Sequence, residues 1–478
     1  MSLGLDSFSP DCIKHIVRAT ALKHHRLSSR IIDNHTVFPN KDDDLSEEDD
    51  NVNFLNEDAD KTSRIANCLN HDFLIKDPMR PPVLWIADIL IKGDYAKENW
   101  TRDSSVEVTV IWTLHHSLGD GLSMWAMART YLNLCTRENF STPIALGAIP
   151  QATEPPPLID NLFNPWFFEI IPALFELLFG AFERKIHMRL VGRDVPYKHL
   201  TDAEREEDST RPRTTKARFV WCEAAFVTAL RTRCRSEKTS VAAILVAAGM
   251  VACKSAFETH TRYAKRFPTH QGWVLTNSLR HLIPGNRLIE GVDKHDDPST
   301  SIFGSYSGSG KCDFWPYSRI VSDNACKITD QLRFWRSARK IKRDIQKINF
   351  SSIARLKLNN YIYRRKRLFN YFKRTVDVSK YTRMFSVEVA NLGAWDAPAS
   401  DIEIEHFTGM VNADFEGSRA LFTLGTITVG GNMSIVATYD TSAVSEEDAD
   451  TFVRVFERIL VRLVESDAKV NIGDLRAD

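Results

Sequence analysis

The sequence predicts a mixed α/β (α+β) protein with two lobes. Strand-like and helix-like segments occur in both halves of the 478-residue chain, as expected where sheets and helices pack in layers. The length suits two or three domains of ~100–200 residues, and a proline-rich stretch over 143–165 is typical of a linker. We therefore expect an N-terminal lobe over 1–142, a linker with an apolar segment over 143–212, and a C-terminal lobe over 213–478.

The N-terminal lobe is expected to start with a helix and to contain two strands. A proline and an aspartate suit the first turn of a helix over 9–26. Apolar, β-branched residues predict strands over 83–93 and 106–114, joined as a long hairpin. A helix with core spacing follows over 122–134. The acidic stretch 42–60 predicts a solvated surface loop, with a metal site as the alternative.

The C-terminal lobe is expected to alternate strands with helices. Gly430-Gly431-Asn432 predicts a hairpin, and Ser445 is placed to cap the closing helix. Residues 305–310 are rich in Gly and Ser and predict a flexible turn. The predicted strands are 217–225, 273–277, 385–390, 421–429 and 433–439, and the predicted helices are 223–235, 240–257, 331–375 and 446–464.

Composition excludes several classes of protein. The chain has 62 basic and 62 acidic residues, which argues against a nucleic-acid binder because such proteins usually carry a basic excess. The eight cysteines form no CxxC pair, so zinc spacing and a disulfide framework are unsupported and reduced cytosolic thiols are expected. The first residues lack the charged and apolar regions of a secretory signal.

The apolar segment 161–181 has two interpretations. It is interrupted by two prolines and two glutamates, and carboxylates near the centre of a membrane-spanning helix are costly. It therefore predicts either a buried helix, or a helix that lies on a membrane surface or shields a lipid tunnel.

The catalytic residues are expected where the predicted strand 106–114 ends and the predicted helix 122–134 begins. Residues 115–125 there read His-His-Ser-Leu-Gly-Asp-Gly-Leu-Ser-Met-Trp. An imidazole here can accept and return a proton near neutral pH, and the following Gly121 permits a tight turn. No GxSxG motif is present and no cysteine lies near the loop, so an acyl-enzyme has no evident carrier. The similar dipeptide His24-His25 is followed by Ser29 in place of an acid, and is expected to be structural.

Residues His115–Gly121 resemble the HHxxxDG signature of the CoA-dependent acyltransferase superfamily. Four further stretches resemble this superfamily: residues 23–31 (Lys-His-His-Arg-Leu-Ser-Ser-Arg-Ile), 80–85 (Arg-Pro-Pro-Val-Leu-Trp), 277–280 (Asn-Ser-Leu-Arg) and 389–393 (Val-Ala-Asn-Leu-Gly). The resemblance is strongest to fungal alcohol O-acetyltransferases and to wax ester synthase/diacylglycerol acyltransferases. It implies two lobes of chloramphenicol-acetyltransferase-like fold with the active-site channel between them.

The resemblance also implies roles for individual residues. His116 matches the catalytic base, and His115 matches a less critical first histidine. Asp120 matches a structural acid that pairs with an arginine, and Arg280 is the candidate partner.

Two residues of the second lobe match a stretch that faces the active-site channel. They are Asn391 and Gly393, and a side-chain amide or backbone N–H there would hold the tetrahedral oxyanion. One such donor is worth roughly 2.7–4 kcal/mol. With Gly121 these residues complete the predicted site, and the reaction requires no metal.

The resemblance implies an acyl-CoA-dependent O-acyltransferase that transfers an acetyl group to an alcohol by direct attack. Acyl-CoA is then a co-substrate, and no bound cofactor is expected. Two alternatives remain: transfer of long acyl chains to lipids, as in wax ester synthases and diacylglycerol acyltransferases, and a catalytically inactive binding protein of the same fold. The inactive alternative rests on the chain starting almost at the first helix, where the superfamily has an additional strand. Residues 414–417 (Asp-Phe-Glu-Gly) only faintly resemble the DFGWG signature, which disfavours the plant branch.

The expected partners are a small-molecule alcohol or lipid acceptor and acyl-CoA, with no nucleic acid. We expect a cytoplasmic monomer with peripheral contact to the endoplasmic reticulum or a lipid droplet through residues 161–189. The basic residues over 336–374 predict either solvated helix faces or a surface that attracts CoA phosphates or an anionic membrane.

Overall fold

The structure is a computed structural model. It describes residues 10–28, 30–32, 35–37, 52–55, 61–70, 84–91, 107–116, 118–135, 168, 171, 214–258, 270–271, 273–280, 307–309, 315–316, 333–346, 385–396, 403–411, 420–441 and 443–465.

The chain forms two compact units. Unit 1 comprises Met1–Leu162, Arg280–Ser307 and Asp396–Phe407, and unit 2 comprises Phe163–Leu279, Gly308–Trp395 and Thr408–Asp478. Unit 1 thus takes in two segments from the half of the chain that the sequence assigns to the C-terminal lobe.

Unit 1 contains a three-stranded sheet in the order β3-β4-β5. Strand β3 (Val52–Leu55) runs parallel to β4 (Trp85–Ile91), and β4 pairs antiparallel with β5 (Val108–Leu114) in unbroken register. Apolar side chains of β4 and β5 form one core cluster with those of the helices that precede and follow them. The other elements of unit 1 are α1 (Pro10–Lys23), a 3₁₀ turn (His25–Ser28), β1 (Arg30–Ile32), β2 (His35–Val37), α2 (Lys61–Leu69) and α3 (Gly121–Leu134).

Unit 2 contains a six-stranded mixed sheet in the order β6-β13-β12-β11-β8-β9. Strands β6, β13 and β12 pair antiparallel, whereas β12, β11 and β8 run parallel. The strands are β6 (Thr215–Cys222), β8 (Trp273–Ser278), β9 (Ser307–Ser309), β11 (Phe385–Trp395), β12 (Ala420–Val429) and β13 (Asn432–Asp440), and a separate short ladder joins β7 (His270–Gln271) to β10 (Trp315–Pro316).

Helices cover one face of this sheet. They are α4 (Ala224–Ser236), α5 (Val241–Glu258), α6 (residues 333–346) and α7 (Glu446–Glu465). Helix α5 is apolar nearly all round and is buried along its length, as expected of a helix in the interior of a domain. Phe452 of α7 stacks on Phe422 of β12 with ring centroids 3.8 Å apart, so the closing helix is fastened to the centre of the sheet.

Turn and cap chemistry define where the last elements begin and end. Gly430 and Gly431 have φ angles of 59° and 90°, conformations that glycine adopts without steric cost, and they form the predicted hairpin between β12 and β13. The Asp448 N–H donates to Ser445 Oγ (3.1 Å), which confirms the predicted N-cap of α7.

Two element predictions are wrong. The acidic stretch 42–60 contains strand β3, whose Val52 is buried, and residues 305–310 contain strand β9 in place of a flexible turn. The apolar residues of β3 are too few to stand out among acidic neighbours, and pairing with β4 is what supports them.

Several predictions lie wholly or partly outside the described residues. Of the predicted helix over 331–375, residues 333–346 are helical and the remainder is not described. The linker and the apolar segment 161–181 are likewise not described, apart from Phe168 and Ile171, and residues 414–417 also fall outside.

Within the described ranges, no single helix has the length and apolar composition needed to cross a bilayer. Helices α4 and α5 meet that test only when taken together, and they are bent by 96° at the break between them.

Candidate active site

The two predicted histidines leave strand β5 in a turn that is held at both ends. The His115 N–H donates to the Leu84 carbonyl oxygen (2.8 Å), and the Leu118 N–H donates to the His115 carbonyl oxygen (3.0 Å). Leu118 is buried in the protein interior. His116 is exposed and His115 is half-buried, so the turn presents the His116 imidazole to solvent on a restrained backbone.

Asp120 caps the helix that follows this turn. Its Oδ1 accepts from the Ser123 N–H (3.1 Å), and Ser123 Oγ accepts from the Asp120 N–H (3.2 Å). This reciprocal pair is a capping box that satisfies two backbone donors at the start of α3. A carboxylate is favourable at this position because the helix N-terminus carries partial positive charge.

Arg280 pairs with the same carboxylate from a distant part of the sequence. Its Nη1 donates to Asp120 Oδ2 and its Nη2 to Asp120 Oδ1, both at 2.7 Å. Nη2 also donates to Ser123 Oγ (2.9 Å). The Arg280 and Asp120 side chains are 0% and 5% exposed, so the pair is bidentate and buried.

The structure therefore brings together Asp120 and its predicted partner. Both carboxylate oxygens of Asp120 are occupied by a guanidinium, and they lie in the protein interior. This arrangement ties the start of α3 to Arg280 and holds the end of the His116 turn in place.

Gly121 differs from expectation. It is the first residue of α3 and is not among the glycines with positive φ. The turn after His116 therefore does not depend on a glycine-specific backbone conformation at this position, since a first-turn helical residue can carry a side chain.

Asn391 and Gly393 lie in unit 2, at an irregularity in strand β11 where the pairing with β12 shifts register. Gly393 has a φ of 90°, and its N–H donates to Asn391 Oδ1 (2.9 Å). The Gly393 N–H therefore already donates to a side chain of the protein. Of the two predicted donors to the oxyanion, the Asn391 amide nitrogen is the one that this hydrogen bond does not occupy.

The first histidine of the His24-His25 dipeptide has a structural role. His24 is buried, and its Nε2 lies 3.0 Å from Thr130 Oγ1 on α3. Thr130 uses its own hydroxyl proton on the Ala126 carbonyl, so His24 must be the donor, with the proton on Nε2. Burial, aided by the charge of Lys23, lowers the pKa of His24 from 6.5 to about 4, which keeps the imidazole neutral between α1 and α3.

Two features of unit 1 were missed by the sequence analysis. The first is Ser123, whose spacing three residues after Asp120 is a capping-box signal. The second is Asp88 on β4, which is fully buried and accepts from Arg64 Nη2 (2.6 Å), Asn53 Nδ2 (2.9 Å) and Cys68 Sγ (3.1 Å). Burial raises the pKa of Asp88, but these hydrogen bonds outweigh it and lower that pKa below its ordinary value. The sequence signal that could have identified Asp88 is a single acidic residue within an otherwise apolar strand.

No three or more His, Cys, Asp or Glu side chains of the described segments are grouped so that they could hold a metal ion.

Comparison with known proteins identifies the fold. No family model matches the chain, and no curated protein matches its sequence. The solved structures that are similar over nearly all of it include the following three. The trichothecene 15-O-acetyltransferase TRI3 from Fusarium sporotrichioides has a TM-score of 0.62 at 9% identity, covering 97% of this chain and 88% of that one.

The other two examples are a nonribosomal peptide synthetase bidomain and a polyketide synthase domain. The EpoB cyclization-docking bidomain from Sorangium cellulosum has a TM-score of 0.55 at 11% identity, covering 97% of this chain and 79% of that one. The condensation domain of the Monacolin K polyketide synthase MokA has a TM-score of 0.52 at 11% identity, covering 98% and 92%. At these identities the likeness concerns fold alone. The chain has the mixed α/β, condensation and chloramphenicol-acetyltransferase-like fold, as the sequence predicts.

Proposed function

We propose that this protein is an acyl-CoA-dependent O-acyltransferase that transfers an acetyl group to an alcohol. The observation that carries the proposal is the exposed His116 on a turn whose far end is fastened by the buried Asp120–Arg280 pair. A general base must be both accessible and held in orientation, and this arrangement supports both requirements. The fold shared with an O-acetyltransferase is a second, weaker support.

The proposed reaction is a single transfer without an acyl-enzyme. His116 removes the hydroxyl proton of the acceptor, and the alcohol oxygen attacks the thioester carbonyl of acyl-CoA. The carbon–sulfur bond then breaks, and protonated His116 returns the proton to the CoA thiolate. The products are an ester and free CoA, so atoms and charge balance without a metal.

Other residues are assigned supporting parts. His115, which is half-buried, contributes less than His116. The Asn391 amide nitrogen is the proposed donor to the tetrahedral oxyanion, and its removal should slow the reaction by about 10²–10³-fold. The Gly393 N–H is left out of this role because Asn391 Oδ1 already accepts from it.

The test is release of CoA thiol by the purified full-length protein, screened across acyl chain lengths and acceptor alcohols. With the best pair of substrates, His116→Ala should lower kcat/KM by about 10²–10⁴-fold, while leaving the unfolding midpoint unchanged because His116 is exposed. The matched control is His406→Ala, which removes another exposed histidine of the same unit and should retain full activity.

The outcome of the screen also separates the alternatives. Full activity of His116→Ala would exclude this residue as the base. A preference for long acyl chains and lipid alcohols would replace acetyl transfer with wax ester or diacylglycerol acylation. Binding of acyl-CoA by calorimetry without CoA release for any acceptor would identify an inactive binding protein.

A further inference from the structure

A second charged feature lies in unit 2, on residues to which the proposed reaction assigns no role. The C-terminal part of α4 with its following turn carries four basic side chains, and α6 carries six. Within these two described segments, 231–239 and 333–346, the acidic residues are Glu237 and Asp344. The basic residues are Arg231, Arg233, Arg235 and Lys238, then Arg333, Arg336, Arg339, Lys340, Lys342 and Arg343. We refer to this surface as the basic face.

Direct contacts join the two elements into one surface. Arg339 Nη1 donates to Glu237 Oε2 (3.1 Å). Lys342 Nζ lies 3.5 Å from the carbonyl oxygens of both Lys238 and Thr239. The Arg233 guanidinium lies over the Trp335 ring, 5.4 Å from its centroid, in cation–π geometry. The basic face is therefore continuous across the C-terminal end of α4 and α6.

The two acidic residues of the basic face already form ion pairs within it. Glu237 pairs with Arg233 (3.3 Å) and Arg339 (3.1 Å), and Asp344 pairs with Lys340 (3.0 Å). Five further cations are exposed and make no ion pair with any residue of the described part of the chain: Arg231, Arg235, Lys238, Arg336 and Arg343. The outward side of the face thus carries five positive charges that form no ion pair within the described ranges.

Helix α6 has the pattern of a helix with one core side and one charged side. Phe334, Ala338 and Ile341 are fully buried, whereas Arg336 and Arg343 are exposed. Since Arg336 and Arg343 are two turns apart, they project on the same side of the helix. A cluster of four to eight Lys or Arg on such a helix is the size that binds anionic lipid headgroups.

We propose that the basic face docks this protein on an anionic phospholipid membrane. The charge is local, because the whole chain is neutral with 62 basic and 62 acidic residues, unlike the general basic excess of nucleic-acid binders. The same unit also exposes an aromatic side chain, with Phe168 74% accessible in the apolar segment 161–181. Attraction to anionic lipid together with an apolar contact is the combination that gives stable peripheral binding.

The test is co-sedimentation of the full-length protein with vesicles of phosphatidylcholine, alone or mixed with phosphatidylserine. We expect binding only to the mixed vesicles at about 0.1 M salt. Binding should weaken strongly at about 1 M salt, where the Debye length falls from about 10 Å to about 3 Å. The double variant Arg336→Gln/Arg343→Gln should bind about twenty-five-fold more weakly, at about fivefold for each arginine.

The matched control is Arg454→Gln/Arg462→Gln, which neutralises two exposed arginines two turns apart on α7 of the same unit and should bind like the unmodified protein. Equal binding to both kinds of vesicle, equal loss in the control, or no binding to the mixed vesicles would overturn the proposal. Tighter binding to a short DNA duplex that displaces the vesicles would also overturn it, and would assign the face to nucleic acid. None of these outcomes bears on CoA release in solution.

Discussion

Replacing Arg280 with methionine tests whether the buried ion pair supports the candidate active site. The Asp120 carboxylate is 5% exposed and receives two guanidinium hydrogen bonds of 2.7 Å. Arg280→Met removes both and leaves the carboxylate buried without its guanidinium partner, while the hydrogen bonds with Ser123 are retained. Leaving one partner of a buried ion pair without the other costs about 3–5 kcal/mol, so unfolding of unit 1 should become easier by that amount.

The coupling between the two residues gives a sharper measurement than the single variant. Asp120→Asn keeps the oxygen that caps α3 but removes the charge. The double variant Asp120→Asn/Arg280→Met leaves no unpaired charge in the interior. It should therefore be more stable than the sum of the single losses predicts, by about 1–3 kcal/mol.

The assay is urea unfolding followed by far-UV circular dichroism and tryptophan fluorescence, which includes Trp125 on α3. Arg454→Met, on the exposed side of α7, is the control and should change stability by no more than about 0.5 kcal/mol. A loss below about 1 kcal/mol for Arg280→Met, or additive losses in the double variant, would refute the inference that this pair holds the start of α3.

Two further predictions concern buried groups of unit 1. His24 has a folded-state pKa of about 4 against 6.5 for the ordinary side chain, so the unfolded chain binds this proton more readily. The stability that depends on a neutral His24 is complete above about pH 6.5 and falls by about 3 kcal/mol as the pH decreases toward 4. His24→Gln, which keeps a donor for Thr130, should reduce this pH dependence in urea unfolding at a series of pH values, and an unchanged slope would contradict it. Arg64→Met should destabilise unit 1 by about 3 kcal/mol, since it leaves the Asp88 carboxylate in the interior. That figure is the low end of the usual range because the Arg64 side chain is 28% exposed. Asp88→Asn/Arg64→Met should recover part of the loss in the same assay, and no recovery would contradict the charge argument.

Local patterns in the sequence were sufficient for most of the elements. Helices α3, α5 and α7 and strands β4, β5, β12 and β13 lie within a few residues of their predicted bounds, because period and capping are properties of neighbouring residues. Strand β3 was missed for the opposite reason, since the partner that supports it lies on β4, more than thirty residues away.

The residues of the candidate site fall into the same two groups, those that a local motif predicts and those that depend on a distant partner. The His116 turn and the Asp120 acid follow from one short motif. The pairing of Asp120 with Arg280 was expected only from family resemblance, because 160 residues separate the two side chains. The choice between Asn391 and Gly393 as a donor required the hydrogen bond between them.

The sequence by itself determined the mixed α/β class, most element positions and the candidate residues His115, His116 and Asp120, because each depends on the chemistry of adjacent residues. Only the tertiary structure decided that the Asp120 carboxylate is buried against Arg280 and Ser123, that Asp88 is neutralised by Arg64, and that α4 and α6 combine their arginines on one face. Those features depend on which distant side chains are removed from water together, and the energetic cost of burying a charge is set by the partner that folding supplies.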